Sequence, residues 1–397
     1  MSKIKSFFVN AALFCLVFAI LLTAAEAVFR IALPEPPGYV TPEIYGNVNL
    51  LYQPNSRTRW HGNMGQAIEY DTPITTNSLT QFDREHEIKK PAGVYRVIVA
   101  GDSYVEALQV PLEKGFPHLL EERLNRDPEI IASGRRVEVI KLGGSGNGAL
   151  REYELLVRQG FQYAPDLVLT FFTDSNDLHD DLHYFRRQTG KEVYQHVNLK
   201  PSGVSYDKID FYKRLLIAPW SRLNRWIAFQ ATEWREKRRR FKNDAANWKG
   251  TLGAYALPGS PRFSDEASDW QEAYRLTLAM HLKIAQESAR HGAQCAAVLN
   301  DRPQAYRPDA YKYLFKILPG LDKELDLDLP AKKLSLFLRN NGVSVLDLND
   351  TFIAHVGRGR TGHYVYDGHW SPDGHLWTAE ALTPFVKERM LRGSEKA

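Results

Sequence analysis

The chain is 397 residues long, 44% hydrophobic and 25% charged, with a formal net charge of +4 at pH 7. That is ordinary globular composition, and so small a surplus gives no argument for nucleic-acid binding, which wants a concentrated basic face. Its two cysteines, Cys15 in an apolar leader and Cys295 in an expected strand, build neither a disulfide framework nor a cysteine metal site.

Lys3 and Lys5 precede an apolar stretch from Phe7 to Ala25, broken only by Asn10 and Thr23. This stretch is close to the ~20 residues that span a bilayer and is longer than a usual signal-peptide core. The lysines favour a cytoplasmic N-terminus and hence an exported, periplasmic or extracellular, main body. Residues 1–32 therefore read as a membrane anchor or signal segment. Ala25-Glu26-Ala27 also has the small-residue pattern of a cleavage site, so a cleaved, secreted form is the alternative.

Residues 33–94 are Pro-rich, then polar with Thr, Tyr and Asn, and lack a helical period. They read as an extended arm with a β-hairpin. From Tyr95 onward short apolar runs alternate with amphipathic segments. The runs Tyr95–Ala100, Val137–Leu142, Asp166–Phe172, Gln294–Leu299 and Val343–Leu348 suit buried parallel strands. Gly115–Asn125, Leu150–Gln159, Trp270–His291 and Ala331–Asn340 suit the helices between them. The expected fold is a three-layer α/β/α sandwich around a five-stranded parallel sheet, spanning 95–397 with a helical insertion at about 184–268. Right-handed crossovers place the first strand near the middle of that sheet.

Within the insertion, Phe211 to Lys242 carries Trp, Leu and Ile on one side and many Arg and Lys residues. It reads either as a solvated helix packed on the domain or as a basic amphipathic helix on an anionic membrane or acidic polysaccharide.

Four loops carry residues with chemical potential. The first strand breaks at Gly101-Asp102-Ser103, leaving a small hydroxyl at its carboxyl end, where open α/β sheets bind ligands. After the second strand, "KLGGSGNGAL" allows three readings: a nucleotide loop close to G-x-G-x-x-G/A, a glycine turn needed for tight packing, or a backbone oxyanion donor facing Ser103. After the third, "FFTDSNDLHDDLH" places Asn176 just past the strand, as an amide donor or as ordinary turn chemistry. His179 and His183 in the same run have the i, i+4 spacing of a helical metal pair but lack the glutamate of H-E-x-x-H.

After the last strand, "YDGHWSPDGH" offers Asp-Gly-His twice, as Asp367/His369 and as Asp373/His375. Ser371-Pro372 between them is a helix-start signal, with Ser as N-cap and Pro at the first helical position. Asp373 then falls in a first helical turn, and His375 packs or caps. Asp367 and His369 stay on the loop, free to serve a nucleophile as orienter and base.

Taken jointly, these blocks resemble the SGNH/GDSL-type hydrolases. Gly101-Asp102-Ser103 matches the first block of that family, Gly146 the second, Asn176-Asp177 the third, and Asp367 with His369 the last. The resemblance covers roughly Tyr95 to the C-terminus without the insertion. It implies a catalytic Ser103, His369 and Asp367. It also implies an oxyanion hole from the Ser103 and Gly146 N–H groups and the Asn176 side chain, with no metal or organic cofactor. The leader and the Asp-Gly-His ending also resemble membrane-anchored members linked to bacterial exopolysaccharides. Two departures stand out. Asp174 replaces the glycine of the third block, and only Gly368 separates Asp367 from His369. The short spacing is similar to the alginate O-acetyltransferase branch. The expectation is therefore an exported ester hydrolase acting on carbohydrate-linked acyl or acetyl esters. Its alternatives are an O-acetyltransferase with the same triad and a catalytically silent carbohydrate-binding scaffold.

Overall fold

The computed structural model of the protein describes residues 2–32, 54–55, 57–63, 68–174, 176–188, 215, 221–228, 230–231, 234–235, 269–303, 326, 328–356, 358, 360–364 and 367–394. Much of the expected arm (33–53) and of the insertion lies outside the described residues. The chain divides into two compact units, Met1–Thr41 with Pro201–Asp244, and Pro42–Lys200 with Ala245–Ala397.

The first unit contains helix α1 (Ser2–Ala32), whose span Val9–Ala32 is long and apolar enough to cross a membrane. None of the residues in that apolar window is buried by the rest of the protein. Residues 222–228 of the same unit are also helical.

The second unit opens with an antiparallel hairpin of β1 (Arg57–Asn63) and β2 (Ile68–Thr75). Along β2, Tyr70, Thr72 and Ile74 are buried while the alternate residues 71, 73 and 75 are exposed, the period of a half-buried strand. Five parallel strands follow: β3 (Val94–Gly101), β4 (Arg136–Gly143), β5 (Leu167–Phe172), β6 (Gln294–Leu299) and β7 (Ser344–Asp347). Their order across the sheet is β4-β3-β5-β6-β7. The chain steps from β3 out to β4 on one side and then crosses back to β5 on the other side of β3. That reversal is the topological switch point of a flavodoxin-like sheet, and it opens a crevice at the carboxyl end of β3.

The strands are legible as continuous apolar runs because both faces are covered. Val97 and Val99 pack with Phe116, Leu120 and Leu124 of α3 (Phe116–Asn125) and with Trp377, Leu382 and Val386 of the C-terminal helix, all fully buried. Ile98 and Ala100 face the opposite layer, against Leu156 and Ile284. Each such fully buried large side chain contributes about 1.5–3 kcal/mol. The remaining helices are α2 (Ser103–Glu106), α4 (Pro128–Ala132), α5 (Ala149–Leu155), α6 (Asp177–Gln188), α7 (Asp269–Arg290), α8 (Leu329–Asn340), α9 (Asn349–Val356) and α10 (Pro372–Ser394). Their starts follow local chemistry. Asp127 caps α4 by accepting from Glu129 N at 2.9 Å, with Pro128 at the first position.

One expected helix is shorter than its pattern. α5 stops at Leu155 and passes into a wide turn over Leu156–Gly160. Gly160 lies there against Leu142 and Ile98, where a side chain would crowd the sheet. Close approach of the backbone outweighs the helical period at that point.

Candidate active site

At the end of β3, Gly101 packs so closely on Val105 that a Cβ would collide with it, which lets the chain fold straight back into α2. Asp102 caps that short helix, its Oδ1 accepting from Tyr104 N at 2.9 Å. Ser103 is thereby the first helical residue, at the mouth of the crevice.

Across the crevice, Ser103 Oγ lies 2.8 Å from His369 Nε2, and His369 Nδ1 lies 2.6 Å from Asp367 Oδ1. A carboxylate at Nδ1 holds the ring proton there, leaving Nε2 to accept from the serine hydroxyl. The single residue between Asp367 and His369 is Gly368, at φ +87°. This left-handed turn, which glycine adopts freely, lets Asp367 Oδ1 meet both the His369 backbone N–H, at 3.2 Å, and its ring.

Electrostatics reinforce the pair. Burial pushes the Asp367 carboxyl up, but the hydrogen bond and charge of His369 outweigh it and hold it below the usual carboxylate range. Burial pushes the His369 imidazole down, but the bond to Asp367 and its charge win, and the imidazole titrates above its ordinary value. Tyr104 packs its ring 5.0 Å from that of His369. The next residue, Trp370, is anchored from β6's end by Nε1 donating to Asp301 Oδ1 at 2.6 Å.

The hairpin contributes two residues that sequence reading missed. Tyr70 Oη donates to Asp367 Oδ2 at 2.6 Å, and Asp367 N donates to Glu69 Oε2 at 2.8 Å. Burial and the Asp367 charge push the Tyr70 phenol up, keeping it a donor. Alternation along β2 marks Tyr70 as inward-facing, but no spacing in the sequence links it to a residue 297 positions away.

On the other side of Ser103 lie the loops after β4 and β5. Ser145 N donates to Glu106 Oε2 at 2.9 Å, which ties the Gly146 loop to α2. Gly146 itself has φ +73°, and among the described residues its N–H has no hydrogen-bond partner. Asn176 Nδ2 donates to Asp180 Oδ2 at 3.0 Å and to Asp102 Oδ2 at 3.4 Å. The β5 loop is closed by Thr173 N donating to Asp177 Oδ2 at 2.8 Å. The carboxyls here are buried and unlike Asp367. Burial pushes Asp102 up and, with the charges of Asp102 and Glu152, pushes Asp177 well up. Asp174 is pushed up to about 7 by burial against the opposing charge of Arg302.

The other candidates separate from this cluster. Gly144 and Gly148 press against Asn147 and Asp181, so these two glycines serve close packing. His179 Nδ1 lies 3.2 Å from Asp180 Oδ1, while the side chain of His183 lies outside the described residues. Among the described residues, no group of three or more His, Cys, Asp or Glu is arranged to hold a metal ion. Asp373 pairs with Arg360 at 2.8 Å, and His375 is buried beside Phe116.

No family model matches the chain, and no curated protein matches it. Several solved structures are similar to it. LAE5, an alpha/beta hydrolase enzyme from the metagenome of Lake Arreo, Spain, aligns at 13% identity over 75% of this chain and 96% of its own, with a TM-score of 0.39. A catalytic mutant of Axe2, an acetylxylan esterase from Geobacillus stearothermophilus, aligns at 13% identity over 74% and 94%, with a TM-score of 0.38. The acetyl xylan esterase AlAXEase aligns at 12% identity over 73% and 99%, with a TM-score of 0.37. At such TM-scores these likenesses carry no weight for function.

Proposed function

We propose that this protein is a membrane-anchored serine ester hydrolase of the SGNH type, with its main body on the exported side. The observation that carries the reading is the hydrogen-bonded chain Ser103–His369–Asp367 at the carboxyl end of β3. Lys3 and Lys5, in the first turns of α1, support the orientation.

In this reaction Ser103 Oγ attacks the ester carbonyl as His369 Nε2 takes its proton. Asp367 holds the imidazole in orientation and stabilises the imidazolium. The tetrahedral oxyanion is held by the N–H groups of Ser103 and Gly146 and the Asn176 amide. Collapse of the intermediate expels the alcohol, which receives the proton from His369 and leaves acyl-Ser103. Water then gives a proton to His369 and attacks the acyl carbon, and the acid departs as Ser103 regains its proton. The substrate class is an acyl ester, and acetyl on carbohydrate is favoured by the resemblance to exopolysaccharide-linked members.

A second reading has a specific observation in its favour. The left-handed Gly368 turn gives the one-residue Asp–His spacing that resembles the alginate O-acetyltransferase branch. There a sugar hydroxyl replaces water in the second step. Acetyl release from 4-nitrophenyl acetate, measured with and without an oligosaccharide acceptor, separates the two. Hydrolysis gives free acetate regardless of acceptor, whereas transfer gives acetylated oligosaccharide. Ser103→Ala is expected to abolish both turnover and labelling by a fluorophosphonate, and labelling that persists in the variant removes Ser103 as nucleophile.

A further inference from the structure

The C-terminal end of α1 makes a contact that this chemistry does not use. The Glu26 carboxylate accepts from Ser221 Oγ at 2.7 Å, Arg222 N at 2.9 Å and Leu223 N at 3.0 Å. Helical residues 222–228 begin there, and first-turn N–H groups have no partner within their own helix. Glu26 supplies the partner, with the sign of charge that a helix N-terminus favours. The closure is reciprocal. Arg222 Nη1 donates to the carbonyl of Arg30 at 2.7 Å, so the last turn of α1 is capped by the helix that α1 caps.

Glu26 is also the first carboxylate after the apolar run Phe7–Ala25, which sets it at the lipid–water boundary if α1 spans the bilayer. A helix that starts on Glu26 starts at that boundary. Ile227 and Trp234 on this segment are 56% and 58% exposed. Arg222, Arg225 and Arg235 lie along the same segment. Exposed Trp and Ile beside arginines are what a helix lying in the interface plane requires.

We propose that the segment starting at Ser221 is an interfacial helix seated on a retained anchor. Its partner is the lipid surface: Ile227 and Trp234 enter the headgroup–acyl boundary of the bilayer that α1 spans. A consequence follows for the leader. Cleavage at Ala25-Glu26-Ala27 would remove the carboxylate on which the helix is seated, so the leader stays.

The test uses the full chain in vesicles containing phosphatidylglycerol, with Cys15→Ala and Cys295→Ala and a nitroxide placed through Ile227→Cys or Trp234→Cys. Both labels are expected to be relaxed by oxygen more than by a water-soluble nickel chelate. Relaxation mainly by the chelate puts the helix in water and overturns the proposal. Shielding from both relaxers puts it under protein and overturns it as well. Adding Glu26→Ala is expected to shift both labels toward the chelate, and an unchanged ratio overturns the seating on Glu26. Intact mass of the unmodified protein should include residues 1–27, and a chain starting at Val28 overturns the retained anchor. None of these readouts depends on ester hydrolysis.

Discussion

Ser103 stands between two flanks of opposite electrostatic character. On the flank after β7, Asp367 is held below the usual carboxylate range and His369 above its ordinary value. Both charges are wanted there, because the imidazole must accept a proton and be stabilised while it holds it. On the other side, burial pushes Asp102 at the end of β3, and Asp174 and Asp177 after β5, the other way, toward their neutral forms. An ionised carboxyl beside a developing oxyanion would oppose it. Asp102, biased toward protonation, accepts from the Asn176 amide with less of that repulsion. In the proposed reaction one flank moves a proton and the other positions donors.

Asp367→Asn strikes the proton-moving flank hardest. Loss of an orienting carboxylate costs on the order of 10⁴ in kcat by analogy with other Ser-His-Asp sites. The pH profile carries the sign. His369 works as a base only when neutral, so activity falls as pH drops through its folded pKa. Because that pKa is raised, the acid limb of kcat/KM is expected above the ordinary 6.5. In Asp367→Asn the limb should move to lower pH, since the hydrogen bond and charge that raise it are gone. A limb that stays in place would detach Asp367 from the titration.

The donor flank answers to Asn176→Ala, expected to cost on the order of 10²–10³ in kcat. Its acid limb should stay near the parent's, because the hydrogen bond and charge of Asp367 that raise His369 are untouched. Near-parental turnover would mean that the amide stays on Asp180 and Asp102 and does not hold the oxyanion.

The hairpin's share of the first flank is smaller. Tyr70→Phe removes one hydrogen bond to a charged carboxylate, worth about 1.5–3 kcal/mol, so kcat is expected to fall roughly tenfold or more with KM little changed. A rise in KM at constant kcat would make Tyr70 a substrate contact rather than a positioning residue.

How much of this was open to sequence reading differs between the flanks. The five strands were legible because Val97–Ala100 and Leu167–Phe172 are apolar on both faces, and strand ends locate the loops of such a sheet. Ser103, Gly146, Asn176, Asp367 and His369 were each legible because each sits within a few residues of a strand end or helix start. Tyr70 and Glu69 were not. They lie on a short polar strand whose placement against Asp367 is decided by tertiary docking. Nor was the neutral bias of the donor flank legible, since it comes from complete burial of carboxyls such as Asp177 and not from their spacing.

The smallest effect on activity, and the sharpest contrast with His369, belongs to His375. The two Asp-Gly-His copies together span nine residues, yet the start of α10 at Pro372 divides them. His375 is 1% exposed, and its Nδ1 accepts from Phe116 N at 3.3 Å. Phe116 opens α3, so that N–H belongs to a helix start and His375 is its partner from outside the helix. Burial, helped by the nearby positive charges of Lys141 and His369, pushes the imidazole down to about 3. The linkage sign is then fixed. In the unfolded chain the group takes up a proton below about 6.5, while the folded protein refuses it until about pH 3. Stability therefore falls with decreasing pH across that window. His375→Gln keeps an acceptor for Phe116 N–H without a titrating ring, so its stability should decline less from pH 6.5 toward pH 4 in denaturant titrations. His375→Ala leaves the N–H unpaired and a cavity beside Phe116, with an expected cost of about 1–3 kcal/mol at pH 7. Turnover per folded molecule should stay near parental in both variants. A folded His375→Ala enzyme that has lost its turnover, beside an active His369→Ala, would move the base to the wrong side of Pro372 and undo the assignment of the first flank.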